Sequence, residues 1–450
     1  MKLKEMNNKN IAIVGAGLVG SLLSIYLAKR GYKVSVFERR GDMRAKGYEG
    51  GRSINLALSN RALRALAEVG LAEEIKSVAI PMHRRVMHDR ESNLTFQPYG
   101  KEGQFINSVS RSALNIVLMN KAEELGVDFH FEQRINHIDL DKTTVDSQPS
   151  TVDSKFDYII GADGAFSVVR GAMQITDRFD YSQDYLDHGY KELHIPPGAA
   201  GEFKLEKNAL HIWPRESFMM IALPNPDGSF TCTLFFPFEG TPSFNKLKTD
   251  AEVSMFFETT FPDALELMPA LLEDYNSNPT SSLVTTRCYP WVKNKTLLIG
   301  DAAHAVVPFY GQGMNAGFED CRILNQMLTD HKNDWTTALA LFEQTRKKDA
   351  DAIAQLALDN FIEMRDLVAD ADFLLRKKIE ARLHQLFPTQ WIPLYSMVTF
   401  NDSMPYSVAL ETGAKQRKIM DAVMKKPNVE KIWESLNFGE IVDRLDSLNT

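Results

Sequence analysis

The chain has 450 residues, a formal net charge of -8 and a pI near 5.8. This length exceeds what a single hydrophobic core usually serves, so two or three domains are expected. The acidic balance argues against nucleic acid as a partner.

Cysteine usage and the distribution of apolar residues bear on location. Cys232, Cys288 and Cys321 show neither CxxC spacing nor a disulfide framework, which indicates a reduced compartment and no metal site. The charged start of the chain does not resemble a signal peptide, and no apolar run reaches the roughly 18 residues of a membrane span. Basic residues after Gly413 are offset by acids, as on a solvated helical face. We therefore expect a cytoplasmic protein without a transmembrane anchor.

The first motif follows a predicted strand, Asn10–Val14. The glycine-rich segment Gly15–Gly20 has the GxGxxG pattern and leads into a helix predicted to reach about Arg30. The next predicted strand, Lys33–Phe37, ends at Glu38, whose carboxylate is placed to accept hydrogen bonds from ribose hydroxyls. This pattern predicts a dinucleotide site, with NAD and FAD equally compatible.

A second motif begins at the predicted strand Tyr158–Ile160. Gly161–Arg170 leads through Asp163 into a helix, and Asp163 and Arg170 are candidates for bridging pyrophosphate groups. Taken alone, this segment is better explained as a turn followed by a capped helix. Its position between two other nucleotide motifs favours the binding interpretation.

The segment from about 175 to 285 is rich in aromatic residues and is predicted to form strands. Pro224–Gly228 is a predicted hairpin turn between the strands Phe218–Leu223 and Ser229–Phe236. Such a sheet could cover a flat cofactor ring.

The third motif starts with the predicted strand Thr296–Ile299, which delivers Asp301 to the carboxyl edge of a sheet. Gly311 and Gly313 then allow close approach of a ligand before a helix predicted from about Met314 to Leu328. A carboxylate facing a ribityl chain, with a helix N-terminus beside the ring, is the chemistry of a flavin site. Beyond Asp330, the apolar spacing predicts helices.

These motifs predict an α/β fold with an α+β insert. It comprises a Rossmann-like FAD-binding domain, an inserted mixed or antiparallel β-sheet substrate domain, and C-terminal helices. The expected limits are 1–80, 105–178 and 285–330 for the discontinuous FAD-binding domain, 81–104 and 179–284 for the substrate sheet, and 331–450 for the helical region.

The three motifs, in this order, resemble those of the single-component flavoprotein aromatic hydroxylases. The resemblance is closer to the kynurenine 3-monooxygenase family, and it extends from about Asn10 to about Tyr406. The segments that carry it are Gly51–Ser59, Gln97–Gly100, His188–Leu193, Ala209–Pro214 and Pro393–Phe400.

The resemblance implies a substrate pocket for L-kynurenine. Arg85 and Tyr99 match the positions that bind its carboxylate, a suitable task for an arginine fork and a phenol. Taken alone, Arg85 would more often be a solvent-facing strand residue, and alternation puts Arg84 and Arg85 on opposite faces. The other implied pocket residues are Asn360, Tyr395, Phe309, Pro308 and Gln312, with Phe236 and Phe238 as weaker candidates from the sheet and no role assigned to Tyr310.

The FAD contacts come from the motifs and from the resemblance together. Arg111 stands out, because it follows a predicted Ser110 N-cap and so places a cation against the helix dipole, which a pyrophosphate would compensate. The candidates are Gly15, Gly17, Val19, Gly20, Phe37, Glu38, Arg39, Arg40, Ala57, Arg111, Ile135, Asp163, Asp301, Gly313, Met314 and Asn315, several of them through the main chain.

The activity implied is 3-hydroxylation of L-kynurenine with NADPH and O2 through a flavin hydroperoxide, a step of tryptophan catabolism and NAD synthesis. The substrate's amino group activates its ring, so no protein base is required, and His304 is expected to be structural. Another aromatic substrate and a non-catalytic flavin protein remain alternatives. A halogenase is disfavoured, because Trp391–Pro393 keeps only a fragment of the Trp-x-Trp-x-Ile-Pro motif.

Overall fold

The computed structural model describes residues 9–45, 55–101, 103–148, 154–364 and 370–447. Its strands are β1 Asn10–Val14, β2 Lys33–Phe37, β3 Asn55–Leu58, β4 Ile80–Met82, β5 Arg84–His88, β6 Leu94–Pro98, β7 Ile106–Ser110, β8 Asp128–His130, β9 Arg134–Asp139, β10 Thr144–Gln148, β11 Ser154–Lys155, β12 Tyr158–Gly161, β13 Asp180–Ile195, β14 Ala209–Arg215, β15 Phe218–Pro224, β16 Phe230–Pro237, β17 Ser281–Tyr289, β18 Val292–Lys293 and β19 Thr296–Leu298.

Its helices are α1 Leu18–Lys29, α2 Asn60–Val69, α3 Ala72–Val78, α4 Arg111–Glu124, α5 Val168–Gln174, α6 Asp250–Thr260, α7 Pro262–Leu265, α8 Leu271–Ser277, α9 Asp301–His304, α10 Gly313–Asp330, α11 Trp335–Ile362, α12 Ala371–Leu386, α13 Leu394–Thr399, α14 Tyr406–Met424, α15 Val429–Ile432 and α16 Phe438–Ser447. A 3-10 turn occupies Pro308–Tyr310.

A six-stranded sheet, in the order β18-β19-β12-β1-β2-β8, carries the three glycine-containing motifs. Its central strands β1, β2, β12 and β19 run parallel, so the chain leaves each of them at the same edge. The apolar run Ile11–Val14 is buried, as expected for a strand covered on both faces. The predicted bounds of β1 and β2 are confirmed, β19 ends one residue early, and α10 starts one residue early.

The second large sheet has seven strands in the order β17-β13-β16-β15-β14-β5-β6. The predicted hairpin is confirmed, since β15 and β16 pair antiparallel with Pro224 opposite Phe230. The prediction of strands for this insert was incomplete, because α6, α7 and α8 also lie within it and cover one face of the sheet. Strand β17 covers 281–289, so the limit predicted at 285 falls within it.

The C-terminal region is helical, as predicted. The first half of α11 packs on the core of the nucleotide-binding sheet through Trp335, Leu339 and Phe342. Farther on, α12, α14 and α16 form a separate core that includes Ile379, Met420 and Val442. Among the described residues, none of the helices combines the length and the apolar character that crossing a membrane requires.

The turn between β1 and α1 is closed by glycine contacts. A Cβ built on Gly20 would overlap the carbonyl oxygen of Gly15, which is backbone and cannot swing away. In α5, by contrast, a Cβ on Gly171 would have no atom of the described residues within 4 Å.

We therefore expect opposite effects from two glycine-to-alanine changes in helices. Gly20→Ala should destabilise the protein by about 1–3 kcal/mol, because the overlap forces the turn open. Gly171→Ala should stabilise it by about 0.5–1 kcal/mol through helix propensity. Urea unfolding of both variants checks this, and equal effects at the two positions would contradict the account of the turn.

Candidate active site

The three glycine-containing motifs converge at the edge where the parallel strands end. Gly15 has a φ of +104°, and a Cβ there would lie 2.6 Å from the Ala162 carbonyl oxygen, so the first turn abuts the second motif. The side chain of Val19 fills the space beside Gly300 and Gly317, which joins α1 to the third motif and to α10. One contiguous loop surface results.

Among the described residues, two helices present N-termini without a side-chain cap at this surface. Gly17 is the N-cap residue of α1, and no atom of the described part of the chain lies within 4 Å of a Cβ built on it. Gln312 precedes α10, where the described ranges contain no side-chain cap either. The first-turn amides of a helix lack intrahelical acceptors, so both ends suit anionic or carbonyl groups of a ligand.

Glu38 follows β2, as predicted, but much of its carboxylate is already engaged. One oxygen accepts from the Ala16 amide at 3.1 Å, and the other accepts from the amide and Nε of Arg40 at 3.0 and 2.9 Å. Glu38 therefore fixes the glycine loop, and its contact with a ribose remains a prediction. Arg39 and Arg40 are exposed, whereas Phe37 is buried beneath the loop and stacks on His130.

The second motif departs from the sequence interpretation. Arg170 does not face a pyrophosphate, because it is buried and donates to the carbonyls of Ala302 and Ala165 while stacking on Tyr181. Asp163 caps α5 by accepting from the Val168 amide at 2.6 Å. Its other oxygen is buried without a hydrogen-bond partner in the described part of the chain, and burial raises the pKa of this carboxyl group. An orphaned oxygen beside the loop leaves room for a ligand donor.

Asp301 lies at the predicted edge of the sheet, and its contact with a ribityl chain remains a prediction. It is exposed at the first position of α9, three residues after the end of the buried strand β19. The side chain of Asn315, in contrast, bonds to the surrounding backbone. Its amide nitrogen donates to the carbonyl oxygens of Ala57 and Gly311, and its oxygen accepts from the Ser59 amide. The Ala57 carbonyl and the Asn315 side chain are thus already bonded, so these two residues can contact a ligand only through their remaining atoms.

Several remaining cofactor candidates surround this loop surface. Arg111 is exposed in the first turn of α4, and the Ser110 hydroxyl caps that helix as expected. Gly313 and Met314 are the first two residues of α10, while Ile135 is a buried residue of β9. Residues 51–54, which begin one family-like segment, lie outside the described residues. Uncapped helix ends, an exposed acid and an exposed cation together match the needs of FAD.

The predicted carboxylate clamp is assembled from three distant segments. The guanidinium carbon of Arg85 lies 4.9 Å from the Tyr99 ring centroid and 4.4 Å from that of Tyr395. Tyr395 stacks between Tyr99 at 5.7 Å and Tyr310 at 5.4 Å. Arg84 points outward to Glu206, which confirms the predicted alternation. Sequence reasoning missed Tyr310, whose only signal was its place between Phe309 and the glycine turn.

The phenol of Tyr99 has no hydrogen-bond partner among the described residues although it is buried. Burial raises the pKa of Tyr99, so its hydroxyl remains a donor. Leaving a buried donor unpaired costs about 1–3 kcal/mol. A ligand oxygen held by Arg85 would remove that cost.

An aromatic wall adjoins the clamp. Phe309 stacks on Phe361 with centroids 4.2 Å apart and contacts Phe235 at 4.9 Å. Asn360 donates to the Phe309 carbonyl oxygen at 2.7 Å, so its side chain anchors this wall instead of presenting a free donor. Pro308 starts the 3-10 turn that carries Phe309.

Two weaker candidates from the sheet were wrong. Phe236 contacts Phe218, Phe244 and Phe256, and Phe238 packs in the same cluster under α6. Because side chains alternate along β16, Phe235 is the residue that faces the wall. The sequence showed alternation but not which face was inward.

Gln312 is buried, and its side-chain oxygen accepts from the Tyr406 hydroxyl at 2.9 Å. The Tyr406 ring lies 3.9 Å from the guanidinium of Arg61. Gln312, which was expected in the substrate pocket, is therefore held by a residue of α14, and this contact was not predicted from the sequence.

A buried network of charges lies behind the site. Arg346 donates to Asp320, Glu319 and Asp349 at 2.7, 3.0 and 3.1 Å, and Arg61 donates to Glu319 at 2.7 Å. Burial opposes ionisation of Asp320, but His304 and Arg346 outweigh it and lower the pKa of this carboxyl group.

His304 lies 2.6 Å from Asp320 and is buried, in agreement with the structural role predicted for it. Within the described ranges, no three histidine, cysteine, aspartate or glutamate side chains converge as metal ligands.

Comparisons with known proteins agree with this geometry. Residues 8–359 match the family model described as an FAD binding domain. The fold resembles the tetrameric form of 2-methyl-3-hydroxypyridine-5-carboxylic acid oxygenase, with a TM-score of 0.67, 20% identity, and 82% of this chain and 96% of that chain covered. It also resembles PqsL of P. aeruginosa in complex with 2-aminobenzoylacetate, with a TM-score of 0.65, 17% identity, and 80% and 97% covered. The protein is thus an FAD-binding protein with the aromatic hydroxylase fold.

Relatives along nearly the whole chain narrow this class. Kynurenine 3-monooxygenase of Christiangramia forsetii is 49% identical and covers 98% of each chain. The enzymes of that name from Flavobacterium psychrophilum and Dictyostelium discoideum are 50% and 46% identical, covering 95% and 94% of this chain and 96% of each relative. The chain belongs to the kynurenine 3-monooxygenase family.

Replacing Arg346, the central cation of the network, tests how much the network contributes to the stability of the protein. Arg346→Met should destabilise the protein by about 3–5 kcal/mol, because three buried carboxylates lose their shared partner. Arg346→Lys should cost less, since it keeps the charge but loses the fork geometry. Urea unfolding measures both.

Arg64→Met is the matched control for this measurement. Arg64 is exposed and lies 3.9 Å from Asp402, so its loss should cost about 0–1 kcal/mol. If Arg346→Met lowered the free energy of unfolding as little as Arg64→Met, the network would not contribute to stability as described.

Proposed function

We propose that this chain hydroxylates L-kynurenine to 3-hydroxy-L-kynurenine with NADPH and O2, using bound FAD. The observation that carries the proposal is the clamp of Arg85 between Tyr99 and Tyr395 beside the Phe309 wall, close to the N-terminus of α10. The near-full-length relatives of that name support it. One oxygen atom of O2 enters the substrate ring, and the other leaves as water with the electrons of NADPH.

The clamp residues bind the amino-acid end of the substrate. Arg85 pairs with the substrate carboxylate, and the Tyr99 hydroxyl, which lacks a partner among the described residues, donates to the same group. The Tyr395 ring packs against the guanidinium, and Asn360 acts through the Phe309 carbonyl that it anchors. Phe309, Pro308 and Gln312 border the ring of the substrate and keep water away from it. FAD supplies the electron transfer and the activation of O2 when it is bound.

The FAD site that we propose follows the loop surface described above. Glycines of the first turn would approach the pyrophosphate, the exposed Arg111 would neutralise it, and Asp301 would accept from the ribityl hydroxyls. The amides of Gly313 and Met314 at the start of α10 would stabilise negative charge on the flavin ring. The remaining contacts proposed are Gly15, Gly17, Val19, Gly20, Phe37, Glu38, Arg39, Arg40, Ala57, Ile135, Asp163 and Asn315.

We also propose the division into an FAD-binding domain, a substrate sheet and a C-terminal helical region near the limits expected from the sequence. A cytoplasmic location belongs to the proposal as well. Its support is chemical: Cys232, Cys288 and Cys321 are buried free thiols, as a reducing compartment allows.

The decisive experiment measures NADPH oxidation by the FAD-loaded protein in air, with and without L-kynurenine, and identifies the products by mass. We expect L-kynurenine to accelerate oxidation and to yield the 3-hydroxy product. Acceleration with peroxide as the only product would refute the hydroxylation. Absence of any response would favour another aromatic substrate or a protein without turnover.

Neighbouring arginines provide a matched pair of variants. Arg85→Ala should lower kcat/KM for L-kynurenine roughly 10- to 100-fold, mainly through KM, because a charge-assisted contact is worth about 1.5–3 kcal/mol. Arg84→Ala, one residue away on the opposite face, should leave KM within about 2-fold, since its ion pair with Glu206 is exposed.

Steady-state kinetics with L-kynurenine compares the two variants. An unchanged KM in Arg85→Ala, or an equal rise in both variants, would sink the assignment of the clamp.

A further inference from the structure

A buried polar cluster occupies the face of β5 opposite Arg85. His88 Nδ1 lies 2.7 Å from Asp263 Oδ2 on α7, and His88 Nε2 lies 2.9 Å from His211 Nδ1 on β14. His211 Nε2 in turn lies 3.0 Å from the Glu206 carbonyl oxygen. Both histidines are about 2% exposed. None of these contacts belongs to the clamp or to the loop surface.

The chemistry of the partners fixes the number of protons. A carbonyl oxygen can only accept, so His211 Nε2 carries a hydrogen. An ionised carboxylate can only accept, so His88 Nδ1 carries one too. The contact between the two rings then needs one further hydrogen between His88 Nε2 and His211 Nδ1. Two neutral histidines carry two ring hydrogens together, whereas this chain of contacts needs three.

The surroundings support that extra proton. Trp213 donates to both oxygens of Asp263 and stacks on His88 with centroids 4.0 Å apart. Burial opposes ionisation of Asp263, but its bonds from His88 and Trp213 outweigh it and lower its pKa, so the carboxylate stays charged. Burial lowers the pKa of His211 to about 4, so the surroundings of that ring disfavour a charge on it alone.

Other charged groups lie around the cluster. Arg215 donates to the carbonyls of His88, Asp89 and Thr260, and this cation opposes the extra proton. Arg90 is exposed and paired with Glu216. The acids Asp89 and Glu91 lie beside Arg215 and reduce its effect.

We propose that His88 and His211 share one positive charge, paired with Asp263, and that this charged chain holds β5 so that Arg85 is positioned for the substrate carboxylate. The positioning half rests on the proposed function, but the charge does not. Parallel pairing of β5 with β14 sets Leu210 opposite Arg85 and His211 opposite Val86, so a shift at His211 is transmitted to the clamp strand. Without the extra proton, two nitrogen lone pairs would face each other at 2.9 Å and push the strands apart.

The charge is read by long-range proton–nitrogen NMR of the full chain, FAD-loaded, with labelled histidine at pH 7.5. We expect one ring with the imidazolium pattern, absent from His88→Gln and neutralised in Asp263→Asn. Finding both rings in neutral tautomer patterns in the unmodified protein overturns the proposal. This NMR measurement needs no turnover, so its result is independent of whether the proposed function is correct.

The positioning role is read from a KM-against-kcat comparison with L-kynurenine. His211→Phe keeps a ring but removes the acceptor, and KM should rise about 10-fold with kcat nearly unchanged, as misplacement of a binding group does. His211→Asn supplies an oxygen in place of Nδ1 and should restore most of the loss. His137→Phe, on an exposed position of β9, is the matched control and should not change KM.

An unchanged KM in His211→Phe refutes the positioning role, as does an equal loss in His211→Asn. A fall in kcat together with lost FAD content would instead mark a purely structural cluster and would refute it as well.

Discussion

The geometry of the site depends on the ion pairs of the buried Arg346 guanidinium. It joins Glu319 and Asp320 of α10 to Asp349 of its own helix, in a region almost closed to water. Removing charges from water is costly unless each one is paired, so these groups must stay together once the protein folds. The network therefore sets the position of α10, whose N-terminus lies near both the loop surface and the aromatic wall of the clamp.

Each end of this network reaches a different functional element. Asp320 also accepts from the Gly300 amide, which fixes the turn that presents Asp301. Arg61 donates to the carbonyls of Val398 and Met404, which ties the segment after Tyr395 to α2. Asp349 accepts from Ser407 at the start of α14. The turn that presents Asp301, the segment after Tyr395 and the start of α14 thus share one support.

The sequence predicted the parts of the protein that local chemistry determines. Glycines at a strand-to-helix turn, an acid after a strand and a hairpin turn each act within a few residues, so β1, β2 and the β15–β16 hairpin were predictable. The buried bonds of Arg170 and Asn315 were not predictable, because their side chains donate to carbonyls that are distant along the chain. Two adjacent acids in α10, Glu319 and Asp320, were the only hint of the charge network, and their partners come from 61 and 346.

The two faces of the seven-stranded sheet carry different groups of residues. Arg85 and Phe235 face the clamp and its aromatic wall, whereas their neighbours His88 and Phe236 face the layer of α6, α7 and α8. A period of two residues sends successive side chains to opposite faces, so a one-residue slip would replace Arg85 at the clamp with a residue of the other face. By holding the inner residues of β5 and β16 in register, the helices on the far face therefore keep Arg85 and the aromatic wall in place.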